Sequence, residues 1–148
     1  MGCDIHSHAE HKVDGKWKVI PGLTPFDWRS YGMYGFLAGV RNYSAVPPIS
    51  EPRGTPDDAA PEIRESWESC DMDGHSHSWL SVAELSSFNY DQEMEDRRVM
   101  RNNDGGCTCD PGDGEKTTYR EFLGDAFFED LKKLQAAGAE RVVFWFDN

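Results

Sequence analysis

Long apolar segments are the first feature that this 148-residue sequence lacks. Its longest apolar run is the short stretch VVFWF near the C-terminus, far below the roughly 20 residues of a membrane-spanning helix. No basic segment followed by an apolar one opens the chain, as a secretory signal or a transit peptide would. We therefore expect one domain, residues 1–148, in the cytoplasm and outside any membrane.

Positive charge is scarce as well. The sequence has 15 lysines and arginines against 27 aspartates and glutamates, a formal net charge of −12, and no basic stripe with interleaved aromatic residues. This charge repels a phosphate backbone, so a nucleic-acid polymer is not expected as a partner. A small anionic ligand stays compatible with the acidic surface, because a metal ion, a helix N-terminus or two arginines can neutralise a phosphate locally.

Cysteine is limited to four residues, Cys3, Cys70, Cys107 and Cys109. In a cytosolic chain we expect such cysteines to be free thiols, because the cytosol is a reducing environment. Cys107 and Cys109 also lack the gap of two to four residues that structural zinc sites use. The sequence therefore predicts neither a disulfide framework nor a cysteine zinc site.

The hydrophobic pattern predicts an α+β fold with a small antiparallel sheet. Asp14 and Gly15 form the two-residue turn of an N-terminal hairpin, which would pair Val13 with Lys16 and Glu10 with Val19. The stretch 140–146 is apolar on both sides, as in a central strand. Helices are predicted at 31–43, 62–70, 82–88 and 119–137. The Gly/Asp-rich stretch 102–116 is expected to be a mobile loop, and the small sheet is expected to complete itself in a homodimer.

Histidine is rare too, yet four of the five histidines lie in two His-Ser-His triplets. The first triplet sits in a row of alternating polar positions of the predicted hairpin, namely Asp4, His6, His8 and Glu10. Alternate strand positions share a face at about 6 to 7 Å spacing, which suits one cation or the two sides of one substrate. Imidazole with carboxylate is typical of zinc, manganese or iron sites. The alternative is a polar strand face whose histidines only bind their neighbours.

The second triplet lies in DMDGHSH, residues 71–77, which we expect to be a loop between two helices. Loops on a rigid scaffold often present ligating or catalytic side chains. The alternative is a capping loop, with Asp71 and Asp73 as turn residues and Ser78 or Ser81 at a helix start. If the two triplets face each other, a metal site or an acid and base pair is the simplest account.

Four further residues have side chains that suit an anionic or planar ligand. Guanidinium groups offer paired donors to phosphate oxygens, and an indole can stack on a nucleobase. The candidates are Arg41, Asn42, Arg53 and Trp79. The alternative is that the arginines form surface salt bridges and the tryptophan belongs to the core.

Five stretches together resemble a family of small, largely uncharacterised proteins of bacteriophages and actinobacterial genomes. They are MGCDIH, FLAGVRN (36–42), EPRGTPDD (51–58), DGHSHSWL (73–80) and RVVFWFDN at the C-terminus. The resemblance implies roles for Asp4, His6 and Glu10, and a lesser role for His8. It also adds Asp147 and Asn148 to the candidates. A phage source implies an accessory role, such as countering bacterial immunity by acting on cyclic nucleotide signals.

The sequence and this resemblance together predict a metal-assisted phosphodiesterase of a small cyclic nucleotide. Zinc or manganese would be held by Asp4, His6, Asp73 and His75. Catalysis is assigned to Glu10, His77 and Asp147. Substrate binding is assigned to Arg41, Asn42, Arg53, Trp79 and Asn148. Two alternatives are a non-catalytic protein that sequesters the nucleotide and a structural protein whose histidines stabilise loops.

Overall fold

The computed structural model describes residues 2–70, 73–99 and 107–148, without the side chains of residues 67, 69 and 70. Its helices and strands, in chain order, are β1 (Asp4–Val13), β2 (Lys16–Val19), α1 (Tyr31–Ala38), α2 (Pro61–Cys70), β3 (Gly74–Ser81), α3 (Val82–Ser87), β4 (Glu93–Asp96), β5 (Glu115–Thr118), α4 (Tyr119–Leu123), α5 (Asp125–Ala136) and β6 (Arg141–Asp147). A four-stranded antiparallel sheet has the order β2-β1-β6-β3, and β4 and β5 form a separate pair. The predicted α+β class is confirmed.

The N-terminal hairpin has the register that the turn residues predict. Val13 pairs with Lys16 and Glu10 with Val19. Asp14 and Gly15 have φ values of 53° and 78°, the left-handed conformation that a type I′ turn requires at both central positions. Glu10 and Val19 therefore share a face of the sheet.

The C-terminal strand β6 lies between β1 and β3, as its apolar character on both sides predicts. Residues 141–146 are all buried. One face of the sheet packs in the larger core, where Phe144 and Phe146 meet residues of α1 and α5. The other face carries Val143 and Trp145, which pack against Ile63 of α2 in a second, smaller core.

The segment of the second triplet is a strand, and the prediction of a loop is wrong. β3 pairs with β6 along Gly74–Ser81. The sequence favoured a loop because Gly74 and the preceding aspartates are turn residues, and because small serines separate the histidines. The backbone groups of these residues find their hydrogen-bond partners on the buried central strand β6, which the local sequence does not reveal. Asp71, assigned to the same predicted loop, lies outside the described residues.

Glycines end one of the predicted helices early and divide another into two. α1 ends at Ala38 instead of residue 43, because Gly39 has a φ of 71°. The predicted helix 119–137 is divided into α4 and α5 at Gly124, where φ is 82°. The capping box of Ser81 and Glu84 at the start of α3 is present with both of its hydrogen bonds.

The stretch between α3 and the predicted loop contains β4, and Arg98 forms an isolated bridge with Thr108. Residues 102–106 of the predicted loop lie outside the described part, and the loop's C-terminal end enters β5. The mobility of the loop and a homodimer stay predictions. In the described part of the chain, none of the helices has the length and apolar character needed to span a membrane. The thiols of Cys3, Cys107 and Cys109 are free.

Candidate functional site

The two histidine-containing segments meet on either side of Trp145. β1 and β3 both pair with β6, so residues about 70 positions apart in the chain flank the same central strand. The imidazole of His6 stacks on the indole of Trp145 with 5.5 Å between ring centroids, and that of His77 does so at 6.1 Å. The ring of His8 stacks on the same indole at 5.7 Å. Trp145 is thus enclosed by imidazoles on the face that also holds α2.

A bulge in β3 separates the two histidines of the second triplet. The register shifts between His75 and Ser78, and Ser76 adopts a φ of 56°. His75 pairs with Phe146 and stacks on its ring at 6.2 Å, whereas His77 stacks on Trp145. Phe146 and Trp145 are neighbours on a strand and point to opposite faces. The two imidazoles of this triplet therefore do not face one site.

The residues predicted to bind a metal ion do not lie around a common point. His75 is turned away by the bulge, Asp73 is exposed, and Asp4 binds an arginine. Within residues 2–70, 73–99 and 107–148, no group of three or more histidines, cysteines and carboxylates is arranged to hold a metal ion. The structure therefore does not bring the predicted set of Asp4, His6, Asp73 and His75 together. Binding of zinc or manganese stays a prediction.

An imidazole and a carboxylate are paired where β1 begins and β6 ends. Nε2 of His6 contacts Oδ2 of Asp147, although the two residues are 141 positions apart. Their side chains are 36% and 28% exposed, so solvent reaches both. A carboxylate on one imidazole nitrogen fixes the orientation of the ring and leaves the other nitrogen free for proton transfer.

Cationic and amide side chains also lie at this end of the sheet. Nη2 of Arg41 and Nε2 of His75 lie 3.4 and 3.3 Å from Oδ1 of Asn148. The guanidinium of Arg29 binds Asp4 through two hydrogen bonds of 3.0 and 3.1 Å. We use the name strand-end site for the residues His6, Asp147, Asn148, Arg29, Arg41, Asp4 and His75.

The predicted catalytic residue Glu10 has a structural role instead. Its side chain is fully buried, Oε1 accepts a hydrogen bond from Nε of Arg141 at 2.6 Å, and Oε2 accepts one from the backbone of Ala60 at 2.7 Å. A general base must be reachable by the proton that it removes. Both oxygens of Glu10 are engaged inside the protein, and its partner Arg141 also binds Asp58 at 3.0 Å.

Three residues assigned to substrate binding form contacts with other residues of the protein. Arg53 forms hydrogen bonds of 2.6 and 3.0 Å with Glu84, and its guanidinium lies 4.6 Å from the ring centroid of Trp79. The amide of Asn42 binds both backbone polar groups of Val46, at 2.8 and 3.1 Å. These contacts support the surface-pair alternative for Arg53, and they give Asn42 and Trp79 local structural roles.

Burial lowers the pKa of two histidines next to Trp145. The pKa of His77 falls below its usual 6.5 because its ring is desolvated, with a further lowering from the charge of His75. Desolvation also lowers the pKa of His8, and it outweighs the opposite influence of Glu10. Both rings are therefore neutral at pH 7, and a neutral imidazole can accept a proton.

Sequence reasoning missed two arginines. Arg141 lies at the start of the apolar strand β6, in phase with Val143 and Trp145, so its position on the inner face was a usable signal. Its guanidinium lies 3.8 Å from the ring centroid of Trp17. Arg29 precedes α1 in an irregular segment, and nothing in the local sequence distinguishes it from a surface arginine.

A scan against models of protein families, a search of curated proteins and a search of solved structures each found no match. The strand-end site must therefore be interpreted from its own chemistry.

Proposed function

We propose that the protein is a hydrolase of small phosphodiesters, with a nucleotide as substrate. The observation that carries this proposal is the contact between the imidazole of His6 and the carboxylate of Asp147 at the open end of the sheet. A histidine oriented by a carboxylate, and open to solvent, is a general way to activate a water molecule. The guanidinium of Arg41 at the same end can bind phosphate oxygens.

In this mechanism the carboxylate of Asp147 accepts a hydrogen bond from the Nε2–H of His6 and so holds the imidazole ring in place. Nδ1 of His6 then removes a proton from a water molecule, whose oxygen attacks the phosphorus and displaces the ester oxygen. The imidazolium returns its proton to the leaving oxygen, so the net reaction consumes one water per ester bond. Arg41 neutralises the charge that develops on the non-bridging oxygens.

The resemblance to phage proteins favours cyclic nucleotide signals of bacterial immunity as the substrates. A divalent cation, zinc or manganese, belongs to this proposal as an activator, which would polarise the phosphoryl group when bound with the substrate. A cytoplasmic location follows from such a role.

A substrate panel tests the proposal. The purified protein is incubated with cyclic dinucleotides, cyclic mononucleotides and adenosine-diphosphate-ribose signals, each with chelator, zinc or manganese. The change of His6→Ala or Asp147→Asn should reduce turnover by about 100-fold or more, the usual contribution of acid and base catalysis. His11→Ala, on the same strand β1 but on its other face, is the matched control and should keep full activity. Absence of turnover under every condition would refute the proposal.

Sequestration of a nucleotide without cleavage is the second candidate. It is favoured by Arg41, which lies 5.4 Å from the ring centroid of Tyr31 and binds Asn148, a grouping that can hold a phosphate without any catalyst. The two functions differ in what is recovered after the protein is denatured by heat. A sequestering protein returns intact nucleotide, whereas a hydrolase returns product.

A further inference from the structure

Arg29 is an exposed guanidinium whose observed partner is a weakly held carboxylate. It binds Asp4 through Nε and Nη2, and the two side chains are 44% and 55% exposed. Exposed pairs of this kind contribute little to stability, because water solvates both partners well. The two parallel hydrogen bonds show that the guanidinium presents the fork geometry that a phosphate also accepts.

Asp4 is also in an unfavourable position. It lies directly opposite Asp147 in the pairing of β1 with β6, and like charges at directly opposite positions of a sheet repel each other. Asp147 has His6 as its partner, and Asp4 has Arg29. An anion that binds Arg29 would therefore displace a carboxylate that the neighbouring charge already disfavours.

Arg41 supplies a second cation near Arg29. The guanidinium of Arg29 packs against Gly2, the residue before Cys3. The backbone N–H of Cys3 donates to the hydroxyl of Tyr31 at 3.0 Å, and Arg41 covers the ring of that tyrosine. Tyr31 is the first residue of α1, whose first turn contains no acidic residue. The positive end of the helix is therefore not neutralised by its own side chains.

From these contacts we propose that Arg29 and Arg41 form a single binding site for a phosphate group, and that Asp4 occupies this site as an internal competitor. The inference rests on the proposed function, since it names the group of the substrate that the strand-end site holds. Displacement of Asp4 by phosphate exchanges one anion for another on Arg29 and brings Arg41 into contact with the same ligand.

The hydroxyl of Tyr34 gives the displaced carboxylate a donor. This hydroxyl is buried and has no hydrogen-bond partner among the residues that the structure describes, and a buried polar group without a partner calls for an explanation. Burial raises the pKa of Tyr34, and Asp4 adds to this effect, so the two side chains are close. After it leaves Arg29, Asp4 can accept a hydrogen bond from Tyr34. The variant Tyr34→Phe removes that donor and should weaken phosphate binding, although the tyrosine does not contact the ligand.

Titration with inorganic phosphate, followed by calorimetry and by NMR, tests the inference on the whole chain. Asp4→Asn should increase the affinity several-fold, because it removes the competitor and one negative charge. Arg29→Ala and Arg41→Ala should each abolish most of the binding. Asp91→Asn is the matched control. It frees Arg120 from a similar exposed pair, with bonds of 2.8 and 3.4 Å, at a different place on the surface, and should change nothing.

The inference is overturned if Asp4→Asn leaves the affinity unchanged or lowers it, if Asp91→Asn has the same effect, or if neither the wild type nor Asp4→Asn binds phosphate. Its failure is distinguishable from failure of the hydrolase proposal, because phosphate binding requires no turnover. Binding that responds as expected, without hydrolysis of any ester, would support the phosphate site and refute the hydrolase. Hydrolysis that depends on His6, without an effect of Asp4→Asn on phosphate binding, would support the hydrolase and refute the phosphate site.

Discussion

The pairing of β1 with β6 contains two carboxylates on one face of the sheet, one bound to a guanidinium and one to an imidazole, and the two pairs differ in almost every physical respect. At one end Glu10 and Arg141 are 0% and 7% exposed, and both oxygens of Glu10 are engaged. At the other end His6 and Asp147 are 36% and 28% exposed. A buried pair with satisfied hydrogen bonds holds the fold, whereas an open pair can exchange its partner for a substrate.

The pairing of the strands also differs between these two ends of the sheet. Near Arg141 the pairing of β3 with β6 is regular, from Trp79 opposite Val143 to Ser81 opposite Arg141. Near Asp147 it contains the bulge at Ser76. Bulges often occur where a strand must redirect a side chain, and here the bulge directs His77 onto Trp145. Four substitutions test whether the two ends of the sheet differ in this way.

The largest effect is expected at the closed end. Glu10→Gln removes the buried charged partner of Arg141 and leaves it with the exposed carboxylate of Asp58, and breaking a buried pair in this way costs about 3 to 5 kcal/mol of the free energy of unfolding. Urea denaturation followed by tryptophan fluorescence measures the loss. A loss below about 1 kcal/mol would contradict the structural role assigned to Glu10.

The next effect concerns the bulge. Ser76→Val places a β-branched residue at a φ of 56° and should destabilise the protein by about 1 to 3 kcal/mol. Ser76→Gly is the control, because glycine adopts this conformation freely, and it should be neutral or stabilising. Equal stability of the two variants in thermal unfolding would show that the bulge does not depend on its backbone conformation.

A pH dependence of stability should arise from the histidines around Trp145. The pKa values of His8 and His77 are lowered from 6.5 in the folded protein, so the unfolded chain binds more protons below that pH. Stability is retained above pH 6.5 and is lost as the pH falls below it. The double variant of His8→Gln and His77→Gln should flatten the unfolding free energy between about pH 7.5 and 5.5.

The smallest effect is expected at the open end. Asp147→Asn should cost less than about 1 kcal/mol of stability, because the pair with His6 is accessible to solvent. Its effect on hydrolysis should nevertheless be large, as stated above. If Asp147→Asn destabilised the protein as much as Glu10→Gln does in the same urea titration, the division into a closed and an open end would be wrong.

Local patterns were sufficient for several elements. The turn at Asp14 and Gly15 fixed the hairpin register, and the capping box at Ser81 fixed the start of α3, because both depend on backbone groups a few residues away. The strand β3 was missed because its polar residues acquire strand structure only by pairing with β6. For the same reason Glu10 resembled a catalytic residue in the sequence and proved to be a buried ion-pair partner.

By itself, the sequence determined the α+β class, the hairpin and the alternation that places Asp4, His6, His8 and Glu10 on one face, since the strand period of two is a property of the backbone. Only the folded chain shows which partner each carboxylate and each imidazole meets. The partners of Glu10 and His6 lie 131 and 141 positions away along the chain, and only the register across β6 brings them together. The bulge at Ser76, which separates His75 from His77, likewise arises from pairing between distant strands.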